Sequence, residues 1–250
     1  MNLLIVNDDG INAYGIKLLA EKACRFGNVH VVAPHTEQSA IGHGITIHDP
    51  MKLHEKESFM KGVRAWSLEG KPADCVKFAL YGLNLDIDVV LSGVNNGPNL
   101  GTDIIYSGTL AGASEAIILG LPAIAFSTDF SYYDIVEEEL DCVLEKLLHL
   151  DVLNTENVIN VNFPSKEFSE SEGIRITEQG LRPFLHEFEL EGDVYWARGT
   201  WDKIKNGPET DVYAYEHGYI SLTPIQINRT NYDYMQVLKD KIDWSSETCP

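Results

Sequence analysis

The chain has 250 residues, 44% hydrophobic and 23% charged, which suits one α/β domain or a domain with a substantial appendage. Its 19 Lys and Arg face 38 Asp and Glu, for a formal net charge of −19. A surface that acidic repels nucleic-acid polymers and anionic membranes, and it leaves any anionic substrate in need of a local cation.

The N-terminus has no basic region, and its apolar run meets Asp8 too early for a signal peptide. The longest apolar run, 117–126, is broken by Gly120 and Pro122 and falls short of the ~20 residues of a membrane span. Cys24, Cys75, Cys142 and Cys249 lie far apart with no C-x-x-C pair. The first three fall inside helical patterns and are expected to be buried free thiols. A cytoplasmic protein is expected.

In chain order, residues 3–6 read as a buried strand that stops at Asp8 and Asp9, after which Gly10 turns the chain into a helix. That helix is marked by Ile16, Leu18, Leu19, Ala23 and Phe26 and closed by Gly27. A second strand at 29–33 ends at Pro34, completing a βαβ opening. Residues 35–44 form a polar loop at the same edge as Asp8 and Asp9, and it carries Ser39. Alternation over 45–68 predicts short antiparallel strands inserted into a parallel scheme.

A short helix is expected over 72–80, with Pro72 in its first turn, where a missing N–H does no harm. The strand at 88–91 runs into a Gly- and Asn-rich loop at 92–99, which includes Asn95 and Asn99. Residues 106–109 open a helix through Leu110, Ala113, Ile117 and Ile118. A strand at 123–126, an amphipathic helix at 135–150 and a strand at 158–162 follow, ended by Phe163 and Pro164. Regular alternation of strand and helix predicts an α/β, Rossmann-like, doubly wound and mostly parallel sheet over residues 1–164.

Residues 165–250 read as a C-terminal arm. A polar connector at 165–173 precedes an aromatic, strand-like stretch with Tyr195, Trp196, Trp201, Tyr213, Tyr215 and Tyr219. A strand is expected at 218–225 and a terminal helix at 238–244. Such an arm has too little core of its own, so it should pack on the sheet or on a neighbouring subunit.

Ligands of open parallel sheets bind outside the carboxyl ends of the strands, which is where Asp8 and Asp9 lie. An acidic pair there can complement a helix dipole. Adjacent carboxylates repel, however, and one would suffice for that, so a hard cation with oxygen ligands explains the pair better. No G-x-G-x-x-G and no G-x-x-x-x-G-K-[ST] is present. Receiver domains need an acceptor Asp at a later strand end, and haloacid-dehalogenase-type phosphatases space their aspartates one residue apart; neither pattern occurs here. Asn95 can add an amide oxygen to the same cation. Ser107, Gly108 and Thr109 suit either helix capping or a phosphate group at a helix N-terminus. His35 and His43 flank Ser39, and His217 sits in the arm; none is taken as a general base.

Taken together, these stretches resemble the SurE survival-protein family of nucleoside 5′- and 3′-monophosphate phosphatases. The resemblance rests on Leu4-Ile5-Val6-Asn7-Asp8-Asp9-Gly10, Ala33-Pro34 with Gln38-Ser39, Pro72-Ala73-Asp74-Cys75-Val76 and Ser92-Gly93-Val94-Asn95. It continues through Gly97-Pro98-Asn99-Leu100-Gly101, Tyr106-Ser107-Gly108-Thr109, Asn160-Val161-Asn162-Phe163-Pro164, Thr210-Asp211 and Gly218-Tyr219-Ile220-Ser221-Leu222-Thr223-Pro224. The resemblance implies that Asp8, Asp9, Ser39 and Asn95 bind one divalent cation, Mg²⁺ or Mn²⁺, with Asp8 and Asp9 catalytic. It implies that Ser107, Gly108, Thr109 and Asn99 bind a nucleoside monophosphate. It also implies a homodimer or tetramer in which the C-terminal β-rich arm and terminal helix exchange between subunits. Action on short polyphosphate, or a non-catalytic sensor of nucleotide or metal, are the alternatives. Two positions depart from the family pattern, Lys71 where Thr is usual and Ala40 where Gly is frequent, and they bear on substrate preference.

Overall fold

The computed structural model describes residues 1–202 and 204–241. The first strand, β1 (Asn2–Val6), shows why its sequence is apolar at every position. Leu3 and Ile5 enter one core layer while Leu4 and Val6 enter another, so both faces of the strand are covered. The layer with Leu3 and Ile5 is closed by helices α1 (Tyr14–Ala23) and α4 (Asp134–His149). The layer with Leu4 and Val6 is closed by α2 (Pro72–Lys77) and α3 (Gly108–Ile118).

β1 pairs in parallel with β2 (Asn28–Pro34) on one side and with β5 (Val89–Asn96) on the other. Beyond β2 lie β4 (Arg64–Leu68), parallel to it, and then β3 (Leu53–Glu55), antiparallel to β4. Beyond β5 lie β6 (Ala123–Thr128) and β7 (Asn157–Asn162), both parallel. The chain thus winds outward in both directions from β1, which makes the β1–β5 boundary the switch point of a doubly wound sheet. The expected fold class is present. Of the strands expected over 45–68, only β3 is antiparallel to its neighbour; β4 joins the parallel scheme.

Two elements differ from expectation. β5 does not stop at residue 91 but runs on to Asn96, with a register shift against β6 between Ser92 and Asn95. The helix expected over 72–80 is α2 followed by a π-helical turn, Phe78–Gly82. In the arm, β8 (Ile174–Ile176) and β11 (Ile220–Gln226) belong to the main sheet: β11 runs antiparallel to β7 and carries β8 on its outer edge. Among the described residues the sheet has nine strands in the order β3-β4-β2-β1-β5-β6-β7-β11-β8.

The remainder of the arm is a hairpin of β9 (Phe184–Glu191) and β10 (Val194–Trp201), a short helix α5 (Asp211–Glu216) and α6 (Tyr232–Lys241). The terminal helix starts before the expected residue 238, and residues 242–244 lie outside the described residues. Cys75 is buried as expected, but Cys24 and Cys142 are exposed; Cys249 is outside the described residues. Helical rhythm places both cysteines on elements without saying which way each faces. Among the described residues no helix is long and apolar enough to cross a membrane.

Candidate functional site

The site is built at the switch point. Beyond β1, the Asn7 side chain donates from Nδ2 to the Gly10 carbonyl at 3.0 Å, which closes the turn from which Asp8 and Asp9 project. Asp8 is only 4% exposed. Its carboxylate lies against the N-terminus of α3: a Cβ on Gly108 would come within 2.7 Å of Asp8 Cβ and 2.8 Å of Asp8 Oδ2. Thr109 Oγ1 donates to Asp8 Oδ1 at 2.5 Å. Ser107 caps the same helix, its Oγ accepting from the Leu110 amide at 3.1 Å. Gly108 is therefore required by close approach, since any side chain would displace the carboxylate.

Burial pushes the Asp8 carboxyl up to about 7, against the opposing Thr109 hydrogen bond and with added repulsion from Asp9. Asp9 is also raised by burial, opposed by the Asn96 amide, which donates to Asp9 Oδ2 at 2.9 Å, and reinforced by the charge of Glu37. Among the described residues neither carboxylate is paired with a Lys, Arg or His. A buried Asp8 beside a half-buried Asp9, with no counter-charge, is costly as an anion, and a bound cation would offset that cost.

Neutral oxygens border this pair. Asn95 sits one residue before Asn96 at the end of β5 and donates from Nδ2 to the Gly97 carbonyl at 2.6 Å, which leaves the amide oxygen as its acceptor end. The loop after β2 reaches the pair through its backbone, the Gln38 amide donating to the Asp8 carbonyl at 2.7 Å. Ser39 follows it, exposed, with its hydroxyl donating to Glu37 Oε1 at 2.5 Å. Among the described residues no three His, Cys, Asp or Glu gather as a metal cluster. The available donors are two carboxylates, an amide oxygen and a hydroxyl, an all-oxygen set that fits a hard divalent cation completing its shell with water.

Asn99 is placed differently from the other proposed ligand-binding residues. Its amide nitrogen donates to Ser127 Oγ at 2.9 Å, and its backbone N–H donates to Asn162 Oδ1 at 2.8 Å. Its carbonyl accepts from Asn160 and Asn162 at 2.9 and 3.2 Å. It sits in a buried amide cluster beneath the loop and holds that loop in place.

Several residues of the site carried no signal of their own. Asn96 anchors Asp9, and Glu37 faces both Asp9 and Ser39. Asp211, at the start of α5, accepts from the Gly101, Gly180 and Val212 amides at 2.9, 2.8 and 2.8 Å. It thereby ties the arm to the 3₁₀ turn Gly101–Ile105 that leads into Ser107. The Thr210-Asp211 pair was part of the sequence pattern, but only the fold shows what the carboxylate does.

The histidines are away from the acid pair. His35 shares a hydrogen bond with Ser67 at 3.0 Å and packs on His54, while His217 donates to the Tyr213 carbonyl and stacks on that ring. Both departures from the family pattern bear on the loop of Ser39. Ala40 has a φ of +55°, left-handed backbone that costs a residue with a Cβ roughly 1–2 kcal/mol. Lys71 donates from Nζ to the Ile45 carbonyl at 2.7 Å.

Residues 3–185 match the family model described as "Survival protein SurE". The chain belongs to the SurE family. A 5′-nucleotidase SurE of Alkaliphilus metalliredigens is 41% identical over 96% of this chain and 98% of its own length. The 5′-nucleotidase SurE of Clostridium beijerinckii is 40% identical over 93% and 95%, respectively. Among solved structures, the SurE protein of Aquifex aeolicus superposes with a TM-score of 0.82 at 34% identity, covering 97% of this chain and all of that one.

Proposed function

We propose that this SurE-family chain is a divalent-cation-dependent phosphatase that hydrolyses nucleoside 5′-monophosphates, and 3′-monophosphates as well, to nucleoside and phosphate. The observation that carries this is Asp8, buried against the helix start of Ser107, Gly108 and Thr109, with Asp9 beside it and neither acid paired with a basic side chain. The names of the 39–41% identical relatives point the same way.

Asp8, Asp9, Asn95 and Ser39 would hold a Mg²⁺ or Mn²⁺, which would supply neutralisation of phosphoryl charge and a lowered pKa for water. The chain's own residues do the positioning on which phosphoryl transfer chiefly depends. The Ser107 hydroxyl, whose oxygen already accepts from Leu110, keeps its proton for a phosphate oxygen, and the N-terminal amides of α3 add donors and a favourable dipole. Thr109 fixes one oxygen of Asp8, leaving the other to face the phosphorus. From there Asp8 acts as base toward water or as nucleophile. A phosphate ester made chiral at phosphorus separates these routes, because one direct attack by water inverts the phosphorus, whereas attack by Asp8 followed by hydrolysis of the phospho-Asp8 intermediate at phosphorus retains it.

The test is a substrate panel of 5′- and 3′-nucleotides, short polyphosphate and a base-free phosphate ester, measured with several metals and with chelator. Phosphate release from nucleotides only when Mg²⁺ or Mn²⁺ is present supports the proposal. Activity indifferent to chelator would sink the metal dependence, and tight nucleotide binding without turnover would make the protein a sensor.

We also propose that the arm associates with a second copy of the chain. The register of β9 with β10 sets Leu190 opposite Tyr195, Phe188 opposite Ala197 and Phe184 opposite Trp201, so one face of the hairpin is apolar. On the other face Arg198 pairs with Glu189 and Glu191. Leu190 and Tyr195 are 59% and 69% exposed. A two-stranded ribbon is marginal alone, and side chains as exposed as Leu190 and Tyr195 are stabilised by a partner.

A further inference from the structure

The loop that carries Ser39 meets the backbone of Asp8 and has little apolar burial, so directional bonds set its position. At one end the Gln38 amide reaches Asp8, and the Gly42 amide donates to the Tyr106 carbonyl at 2.8 Å. At the other end the Thr46 amide donates to both Asp74 carboxylate oxygens at 3.0 and 3.1 Å, and Lys71 reaches Ile45. Between them, His43 Nε2 donates to Glu115 Oε2 at 2.8 Å.

Glu115 is otherwise unexplained. It is 3% exposed, on the same helix as Ser107–Thr109 and six residues beyond Thr109, among Ala111, Gly112, Ala113 and Ala116. Its second oxygen accepts from Lys77 Nζ on α2 at 3.2 Å. Burial would raise its pKa, but the hydrogen bonds from His43 and Lys77 outweigh that and hold it below the usual carboxylate range. The phosphatase mechanism makes no use of this carboxylate.

We infer that His43 and Glu115 form a latch that fixes the Ser39 loop to the helix carrying the phosphate-binding residues, making His43 a positioning residue for cation and substrate binding. The inference rests on Ser39 being a cation ligand, as proposed above. One end of the latch moves with the loop from β2 and the other with α3, so this side-chain bond, beside the backbone bond of Gly42 to Tyr106, joins both halves of the site. Lys77 keeps Glu115 compensated when His43 is replaced.

The test compares His43→Ala, His43→Gln, Glu115→Gln and the His43→Ala/Glu115→Gln double variant in the full chain. Direct Mn²⁺ binding is measured, with KM, kcat and melting temperature alongside. The expected result is an Mn²⁺ dissociation constant and nucleotide KM raised about tenfold in His43→Ala, equivalent to about 1.4 kcal/mol, with kcat at saturation changing less than either. His43→Gln, whose amide nitrogen reaches the position of the ring Nε2, restores most of the affinity, and the double variant is no worse than the poorer single one. Unchanged Mn²⁺ affinity in His43→Ala, whatever the melting temperature does, overturns the latch. So does additivity of the two single variants. Wild-type protein that binds no Mn²⁺ overturns the Ser39 reading itself, and the latch with it.

Discussion

Replacing Asp8 by Asn separates what the residue does for the fold from what it does for the reaction. Thr109 can still donate to the amide oxygen, so the local contact is kept while the buried charge is removed. In the cation-free folded chain, burial carries Asp8 from 3.8 to about 7. Between those values the folded state keeps a proton that the unfolded chain has released, so stability falls as pH rises through the window and levels off above it. About three pKa units correspond to about 4 kcal/mol as a ceiling. The variant, which has no such proton, should be more stable than the native chain by roughly 2–4 kcal/mol near pH 8 and level with it near pH 4. For a chain of this size that is a rise in melting temperature of about 4–15 °C. Scanning calorimetry of both proteins in chelator across this range measures it. Saturating Mn²⁺ should then raise the native melting temperature and leave the variant, which should also be inactive, unmoved. A variant that is less stable at pH 8, or whose difference does not change with pH, refutes the argument that Asp8 is held at the expense of the fold.

Gly108→Ala would place a methyl 2.7 Å from Asp8 Cβ and should lower kcat/KM by about two orders of magnitude, with an unchanged circular dichroism spectrum. Asp211→Ala strands the amides of Gly101, Gly180 and Val212 and should cost about 3 kcal/mol or more in urea unfolding. In the hairpin, Leu190→Lys with Tyr195→Glu should lower the assembled mass in sedimentation if the apolar face is the contact between copies; an unchanged mass places the contact elsewhere.

The doubly wound core was legible because its strands are covered on both faces and its helices follow a 3.6-residue rhythm. Residues 3–6 and 29–33 could hardly be anything but buried parallel strands. The site was legible as far as chemistry is local: Asp8 with Asp9, and Ser107 as a cap, are adjacent in sequence and in space. β5 was cut short because Gly93, Asn95 and Asn96 are poor strand formers, yet the pairings of Asn95 with Ser127 and Asn96 with Thr128 supply what propensity does not. Asn99 read as a loop residue near a ligand, and its buried partner Asn162 lies 63 residues away. The bond of His43 to Glu115 spans 72 residues, a separation at which no periodicity or motif reports contact. The face on which Cys24 and Cys142 lie was lost for the same reason: helix existence is local, and what packs against it is not.

The joints of the site differ in kind from the joints of the core. The two layers on either side of the sheet are held by aliphatic contact, which tolerates substitutions that keep volume and apolarity. The loops around Asp8 are held by single directional bonds: Gln38 to Asp8, Asn96 to Asp9, Thr109 to Asp8, His43 to Glu115. Removing any one of them leaves most of the apolar burial in place, so the fold survives while distances at the acid pair change. Folding energy is therefore carried mainly by the layers, and the geometry of the carboxylates by polar contacts that contribute little to stability. In a chain of net charge −19, the site gathers two more negative charges than its burial favours. A cation bound there would offset the burial of Asp8 and its repulsion with Asp9, and would supply the positive charge that an anionic phosphate requires.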